Sequence, residues 1–333
     1  MRTGAPGRVR RRAVAAVAIA LVVAVTVYVN APVVGAWWYA WRYGLDADTL
    51  PTAPAFAEGD RVLVVSPHPD DEALCCGGAI QQALAAGAGV WIVHLTSGDG
   101  FELDAMTVER TLRPRGAPLV NLGRMRMEEA RASAAVLGVP DEHVWFLGFP
   151  DRGLREVFRH YWSEPYRSPY TGRTFVPYPT ARTPGLPFTG ENLVAEVAAV
   201  LDAIDPTVVL APTPLDAHPD HRAAGELLLL LLLERDQLDR AWWWIVHGDP
   251  QWPLPKGFHP RATLFPPLRA ARLPWHRLDL ERSEVAVKLA AIRAHATQIL
   301  WMRRYLEAFA RRNELFSPVP LPRAWIPDER STR

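Results

Sequence analysis

Short apolar runs without polar/apolar alternation recur along this chain, each followed by polar residues and then by a longer amphipathic stretch. Val62-Leu63-Val64-Val65 is the first of them. Such runs, bounded by turn residues, read as strands covered on both faces. The pattern predicts strands over 61–66, 90–96, 143–147, 207–211 and 242–247, and helices over 71–86, 126–137, 191–204 and 219–235. A long helix with room for one break is expected over 280–312. Residues 98–123 show no periodicity and read as a loop. Residues 150–187, rich in Pro, Tyr and Arg, exceed an ordinary connection and read as an active-site loop. Strands alternating with helices predict an α/β fold: a Rossmann-like, mostly parallel sheet with helices on both faces. Ligands bind such sheets beyond the carboxyl ends of the strands, which directs attention to the residues just past each run. The seven leucines from Leu227 to Leu233 are too few to span a bilayer and, flanked by Glu226, Glu234 and Arg235, read as a core helix.

The N-terminus departs from this pattern. Arg2, Arg8, Arg10, Arg11 and Arg12 precede an uncharged stretch that begins at Ala13 and runs on toward Trp37-Trp38-Tyr39. A spanning helix needs about 20 apolar residues, whereas a signal-peptide core has about 7–15. A transmembrane signal anchor is therefore expected over 13–36, behind a basic cytoplasmic tail over 1–12. A juxtamembrane linker over 37–59, a catalytic body over 60–317 and a tail over 318–333 follow. Trp37, Trp38 and Trp41 suit an interfacial belt, and the leading arginines favour a cytoplasmic N-terminus with the body outside. Secretion after cleavage behind Ala36 is the alternative.

Composition narrows the classes. The 37 Lys+Arg nearly balance 36 Asp+Glu, so no charge excess points to nucleic acid or to an acidic disordered segment. The only cysteines, Cys75 and Cys76, are adjacent; neighbours rarely bridge, so no disulfide is expected.

Candidate chemistry sits at two strand tips. His68-Pro69-Asp70-Asp71-Glu72 follows the first strand and His218-Pro219-Asp220-His221 follows the fourth. On a first helical turn Asp70 and Asp71 point about 100° apart, so one can face a metal with His68 while the other faces substrate. Glu72 reads as a partner of the helix dipole, and Gly77-Gly78 as small residues that let helix pack on sheet. His218 and His221, three apart, share one helix face, and Asp220 is placed to hydrogen-bond a ring N–H. Two imidazoles and a carboxylate with a fourth position for water are the donor set of a catalytic zinc site.

The paired motifs resemble those of the PIG-L (LmbE-like) zinc de-N-acetylases. Weaker likenesses are Thr96-Ser97-Gly98-Asp99, Arg126 with Glu129, and Leu147-Gly148-Phe149-Pro150-Asp151. The resemblance implies His68, Asp71 and His221 as zinc ligands and Asp70 as general base. It implies His218 as oxyanion stabiliser and proton donor to the leaving amine, with Asp220 holding it in place. Arg126 and Asp151, as surface helix and loop residues, match substrate-contacting positions. Some relatives carry a closing tyrosine where Leu215-Asp216-Ala217 stands, and Tyr161, Tyr166, Tyr170 and Tyr178 of the Pro-rich loop are substitutes. His94, His143, His160 and His247 lack ligand-like spacing and read as structural, and so, on balance, do Lys288, His295 and Gln298. The implied function is removal of an acetyl group from an N-acetylated amino sugar, on an N-acetylglucosaminyl glycolipid or envelope glycan. A zinc amidase for another N-acyl substrate, and a metal-retaining glycan-binding protein without turnover, are the rivals.

Overall fold

Val62 to Val65, apolar and mostly β-branched, form the middle of strand β1 (Arg61–Ser66) and are closed to solvent, as the missing alternation requires. The computed structural model describes residues 6–45 and 47–322. Beside β1 lie β2 (Gly89–Thr96) and β3 (Val144–Phe149) on one side, β4 (Val208–Pro212) and β5 (Ala241–Trp244) on the other. Every pairing is parallel and the order is β3-β2-β1-β4-β5, with Val62↔Val208 and Val64↔Leu210 fixing the central register. The chain builds outward from β1 one way, then returns and builds the other way from β4. The tips of β1 and β4 therefore flank the topological switch point, where open α/β sheets place their ligands.

Helix α1 (Pro6–Tyr43) belongs to a unit over 1–45, separate from the body. In the body, α2 (Asp71–Ala85) follows β1, α3 (Glu102–Val108) and α4 (Ala117–Leu137) follow β2, and α5 (Leu154–His160) and α6 (Gly190–Ile204) follow β3. Next come α7 (Pro219–Glu234) after β4, then β6 (His276–Asp279), α8 (Arg282–Ala294), α9 (Ala296–Leu306) and β7 (Asn313–Phe316). Helices α2, α4 and α8 pack together, as do α5, α6 and α7, and with the right-handed crossovers that parallel strands require as a rule, the reversal of strand order at β1/β4 assigns the two groups to opposite faces. In α7, Leu227, Leu228, Leu231 and Leu232 are buried while Leu230 and Leu233 are exposed, so the leucine run is a core helix.

Several expectations are corrected. The stretch 98–123 is not one loop: it holds α3, and α4 starts at Ala117 with Pro118 in its first turn, where a fixed φ suits a helix start. The C-terminal helix has its one expected break, at His295, but ends at Leu306 rather than at 312, and β6 and β7 form an antiparallel pair whose four-residue strands are too short to show a period. Residues 51–53, expected as linker, exchange backbone hydrogen bonds with Arg277 of β6. Cys75 and Cys76 are bonded to each other, their Cα atoms only 3.8 Å apart along the helix. Gly78 makes room for the C-terminal segment rather than the sheet: a Cβ there would lie 2.2 Å from Leu280. Among the described residues no helix is long and apolar enough to cross a membrane, so the anchor expected over 13–36 finds no support in α1. Residues 1–5 and several side chains of that segment lie outside the described residues.

Candidate metal centre

At the tip of β1, Ser66 Oγ donates to the His68 carbonyl at 2.6 Å, turning the chain toward α2. Asp71 opens that helix, and Asp70 caps it with φ 133°, a backbone region that side chains rarely enter. Strain of this kind persists only where the surroundings impose it, and it collects at functional sites. Its effect here is to separate the two carboxylates. Asp71 Oδ2 faces His68 Nδ1 at 3.2 Å and His221 Nε2 at 3.0 Å, and those two nitrogens are 3.1 Å apart. Asp70 turns instead to the pocket wall, 3.4 Å from an Arg126 nitrogen.

Three mutually touching donors make a tripod. Donors at about 2.0–2.2 Å from a tetrahedral zinc lie roughly 3.3–3.6 Å from one another, so the residues fit such an ion with small adjustment. The charge balance points the same way. Burial alone would lower the His68 ring, but Asp151, Asp220 and Asp71 hold it well above its ordinary value. His221 is likewise desolvated, yet Asp71 and Asp216 push it up to about 9. Carboxylates that draw protons onto buried rings form a site short of positive charge, which a divalent cation supplies.

Around the tripod lies a cavity of about 190 Å³ lined by Asp70, Arg126, Asp151, His218, Gln298 and Tyr305, among others. The His218 ring stands edge-on to His68, centroids 4.7 Å apart. Burial, then the charges on His68 and His221, lower His218 to about 2; rings that are neutral as metal ligands remove that repulsion.

Residues 63–232 match the PIG-L family model, described as GlcNAc-PI de-N-acetylase. The chain belongs to the PIG-L family. It is thus a hydrolase of the deacetylase class. This PIG-L protein is 29% identical over 252 residues to the 1D-myo-inositol 2-acetamido-2-deoxy-alpha-D-glucopyranoside deacetylase of Actinosynnema mirum, covering 72% of this chain and 81% of that one. It is 29% identical over 175 residues to the diacetylchitobiose deacetylase of Thermococcus kodakarensis, covering 52% and 49%. Among solved structures it is similar to the N,N'-diacetylchitobiose deacetylase of Pyrococcus horikoshii, with 21% identity, a TM-score of 0.47, and 78% of this chain and 84% of that one covered.

In this family member the outer nitrogens of both tripod rings are held by carboxylates. His68 Nε2 lies 3.2 Å from Asp151 Oδ1 and 3.3 Å from Asp220 Oδ2. Asp220 is fixed in turn by the backbone N–H groups of Arg152 at 2.6 Å and Leu154 at 3.1 Å. This corrects the expected pairing of Asp220 with His218: the Asp220 carboxylate serves His68, and only its backbone N–H reaches His218 Nδ1, at 3.3 Å. The helix geometry explains it: His218 is the N-cap of α7 and its ring accepts from the Asp220 N–H, while the Asp220 side chain, two residues on, points elsewhere. Arg126 and Asp151 are also not surface residues. Arg126 is buried and donates to the Pro69 carbonyl at 2.7 Å and the Gly98 carbonyl at 3.0 Å. Gly98, at φ 68°, admits it, because a Cβ there would meet the guanidinium at 2.2 Å. Asp151 is buried and accepts from the Gly100 N–H at 2.9 Å.

Three contributors escaped the sequence reading. Asp216 Oδ2 lies 3.2 Å from His221 Nδ1 and accepts from the Val246 and His247 N–H groups, each at 3.0 Å; Oδ1 accepts from the His218 N–H at 2.8 Å. It therefore puts the His221 proton on Nδ1 and frees Nε2 as a donor. Asp216→Asn is expected to weaken zinc affinity about 10–100-fold, measured by competition with a chelating indicator; unchanged affinity would remove it from this role. His247, set aside as structural, stands against His221 with centroids 4.7 Å apart and shares a potential donor cluster with Asp71 and His221. Its signal was position: it follows β5 at the same sheet end. Tyr305 Oη donates to the Val246 carbonyl at 2.9 Å and meets His247 Nδ1 at 3.2 Å, bringing an aromatic wall from α9 that no spacing announced. Tyr178 is fully buried with its hydroxyl on Asp99, 2.6 Å away, and so is no mobile cover. His94 packs on Phe146 and His143 on Trp91, both away from the pocket.

Proposed function

We propose that this chain is a zinc-dependent hydrolase that removes an acetyl group from an N-acetylated amino sugar borne by an N-acetylglucosaminyl glycolipid or envelope glycan. One observation carries the reading: His68 and Asp71 of the His68–Asp71–His221 tripod line the same pocket as Asp70 and His218, with His221 buried behind them. Held by those three donors, zinc would bring the pKa of a water toward about 7 and polarise the acyl carbonyl. Asp70 takes the proton of the attacking water. Burial raises its carboxyl to about 7, against the opposing pull of Arg126, which suits a base that must also release the proton. His218, which lines the same cavity, hydrogen-bonds the developing oxyanion and protonates the departing amine, its proton replaced by the one Asp70 took from water, so that the base ends the cycle free. Arg126 and Asp151 line the pocket where the sugar enters.

The relatives' names support the amino sugar: one acts on an acetamido-deoxy-glucopyranoside of inositol, another on diacetylchitobiose. A lipid-linked substrate is supported by exposed Leu103, Leu300 and Trp301 on α3 and α9, the latter helix also supplying Gln298, Met302 and Leu306 to the pocket. The arginine-rich start of the chain supports export, with an anchored body outside the membrane or, after cleavage, a secreted one; fractionation of cells expressing the full chain, with protease protection, checks this. The function is tested by acetate release from N-acetylglucosaminyl-inositol, chitobiose and glycolipid substrates by the zinc-loaded protein. Release that a chelator abolishes and zinc restores is expected. Turnover confined to other N-acyl amides would make it a different amidase, and stoichiometric zinc without any hydrolysis a binding protein.

A further inference from the structure

Two buried ion pairs fasten the C-terminal α8–β7 segment to α2, and they do different things. Lys288 Nζ meets Glu314 Oε1 at 2.5 Å, and Glu314 accepts from the Gly78 and Ala79 N–H groups at 2.6 and 2.9 Å. That pair sits midway along α2, against Gly77, and its partners are all packing elements. The other pair is His295 Nε2 with Glu72 Oε1 at 2.9 Å. Glu72 is not simply a partner of the helix dipole. Its Oε1 also accepts from Ser133 Oγ of α4 at 3.0 Å, and its Oε2 accepts from the backbone N–H of Asp70 at 3.0 Å. Glu72 and His295 are both closed to solvent.

Each end of this contact touches something the reaction needs without touching the reacting atoms. At one end is the amide of Asp70, held at φ 133°. A hydrogen bond to that amide fixes the peptide plane, and with it the direction in which the Asp70 carboxylate leaves the chain. At the other end His295 is the elbow between α8 and α9, with ψ 65° where a continuous helix would be negative. The side chain that sets this elbow also sets α9, whose Gln298, Met302, Tyr305 and Leu306 form one wall of the pocket. Among the described residues the other nitrogen of the His295 ring, Nδ1, is buried without a partner.

We infer that Glu72 and His295 form a positioning pair that aims Asp70 at its substrate and places the α9 wall opposite it, whereas Lys288 and Glu314 only hold the fold together. The inference rests on Asp70 being the base. It distinguishes two interactions of similar burial by what lies at their far ends.

The test uses the full zinc-loaded chain and the variants Glu72→Gln, His295→Gln and Lys288→Met. Five quantities are compared: kcat and KM for acetate release, zinc per chain, Tm, and amide hydrogen exchange of the peptide spanning 68–74. Glu72→Gln and His295→Gln are expected to lower kcat about 10–100-fold with KM within about twofold, full zinc, and faster exchange over 70–73. The double variant should be no slower than the slower single one, because the two act as a unit. Lys288→Met should lower Tm and leave kcat unchanged. Losses of kcat that follow Tm equally in all three variants would overturn the inference, as would unchanged kcat in both Glu72→Gln and His295→Gln. If the wild-type chain releases no acetate, the proposed function fails on its own. Exchange then decides: faster exchange over 70–73 in the two variants alone supports the pair, and unchanged exchange refutes it.

Discussion

Asp70→Asn is expected to abolish most turnover, by about 10²–10⁴-fold in kcat, while zinc content stays at the wild-type level. Asparagine has nearly the shape of aspartate, so the backbone turn into α2, which needs no cap from this side chain, and the contact with Arg126 survive in outline. What disappears is a group that can accept a proton. The three tripod donors belong to His68, Asp71 and His221, whereas the Asp70 carboxylate pairs with Arg126. Metal analysis alongside steady-state kinetics checks both halves. Loss of zinc in this variant would make Asp70 a ligand and leave the base unassigned.

His221→Ala is expected to cost the metal, the activity and part of the fold together. Removing Nε2 leaves two donors of the tripod, and it strips Asp71 of a partner that, against burial, holds its carboxyl well below the usual range. Breaking one side of a buried ion pair typically costs roughly 3–5 kcal/mol, so the variant should melt earlier even with both proteins metal-free. Elemental analysis after dialysis and calorimetry of the apo-proteins give the two readouts. Stoichiometric zinc in the variant would shift the ligand role to another donor, with His247 the nearest ring to consider.

The sheet was legible because its strands are buried on both faces, and a strand such as 62–65 has no polar residue with which to imitate a helix. The two motifs were legible because each lies just past a strand, so locating the strand located the site. What stayed hidden was contact between segments that share no spacing. Nothing near Asp220 shows that its carboxylate serves His68, since that depends on where the turn after β3 presents the Arg152 and Leu154 N–H groups. Asp216 stood two residues from His218 and was passed over as a place where a tyrosine was missing. Its value comes from the Val246 and His247 N–H groups beyond β5. Glu72 was misjudged for the same reason: its partner His295 is 223 residues away. Local pattern reports which face of an element is buried, and it does not report what that face meets.

The pairing of β1 with β4 has a kinetic consequence. His68 and His221 are separated by 153 residues, and no three-donor set exists until the strands carrying them lie side by side. Closing so long a loop is among the slower events of folding, and most of the helices can form before it. An ion that binds only the finished tripod therefore adds nothing to partly assembled chains. Its whole contribution falls on the zipped sheet, so it works against the final opening of β4 from β1 rather than for either half alone.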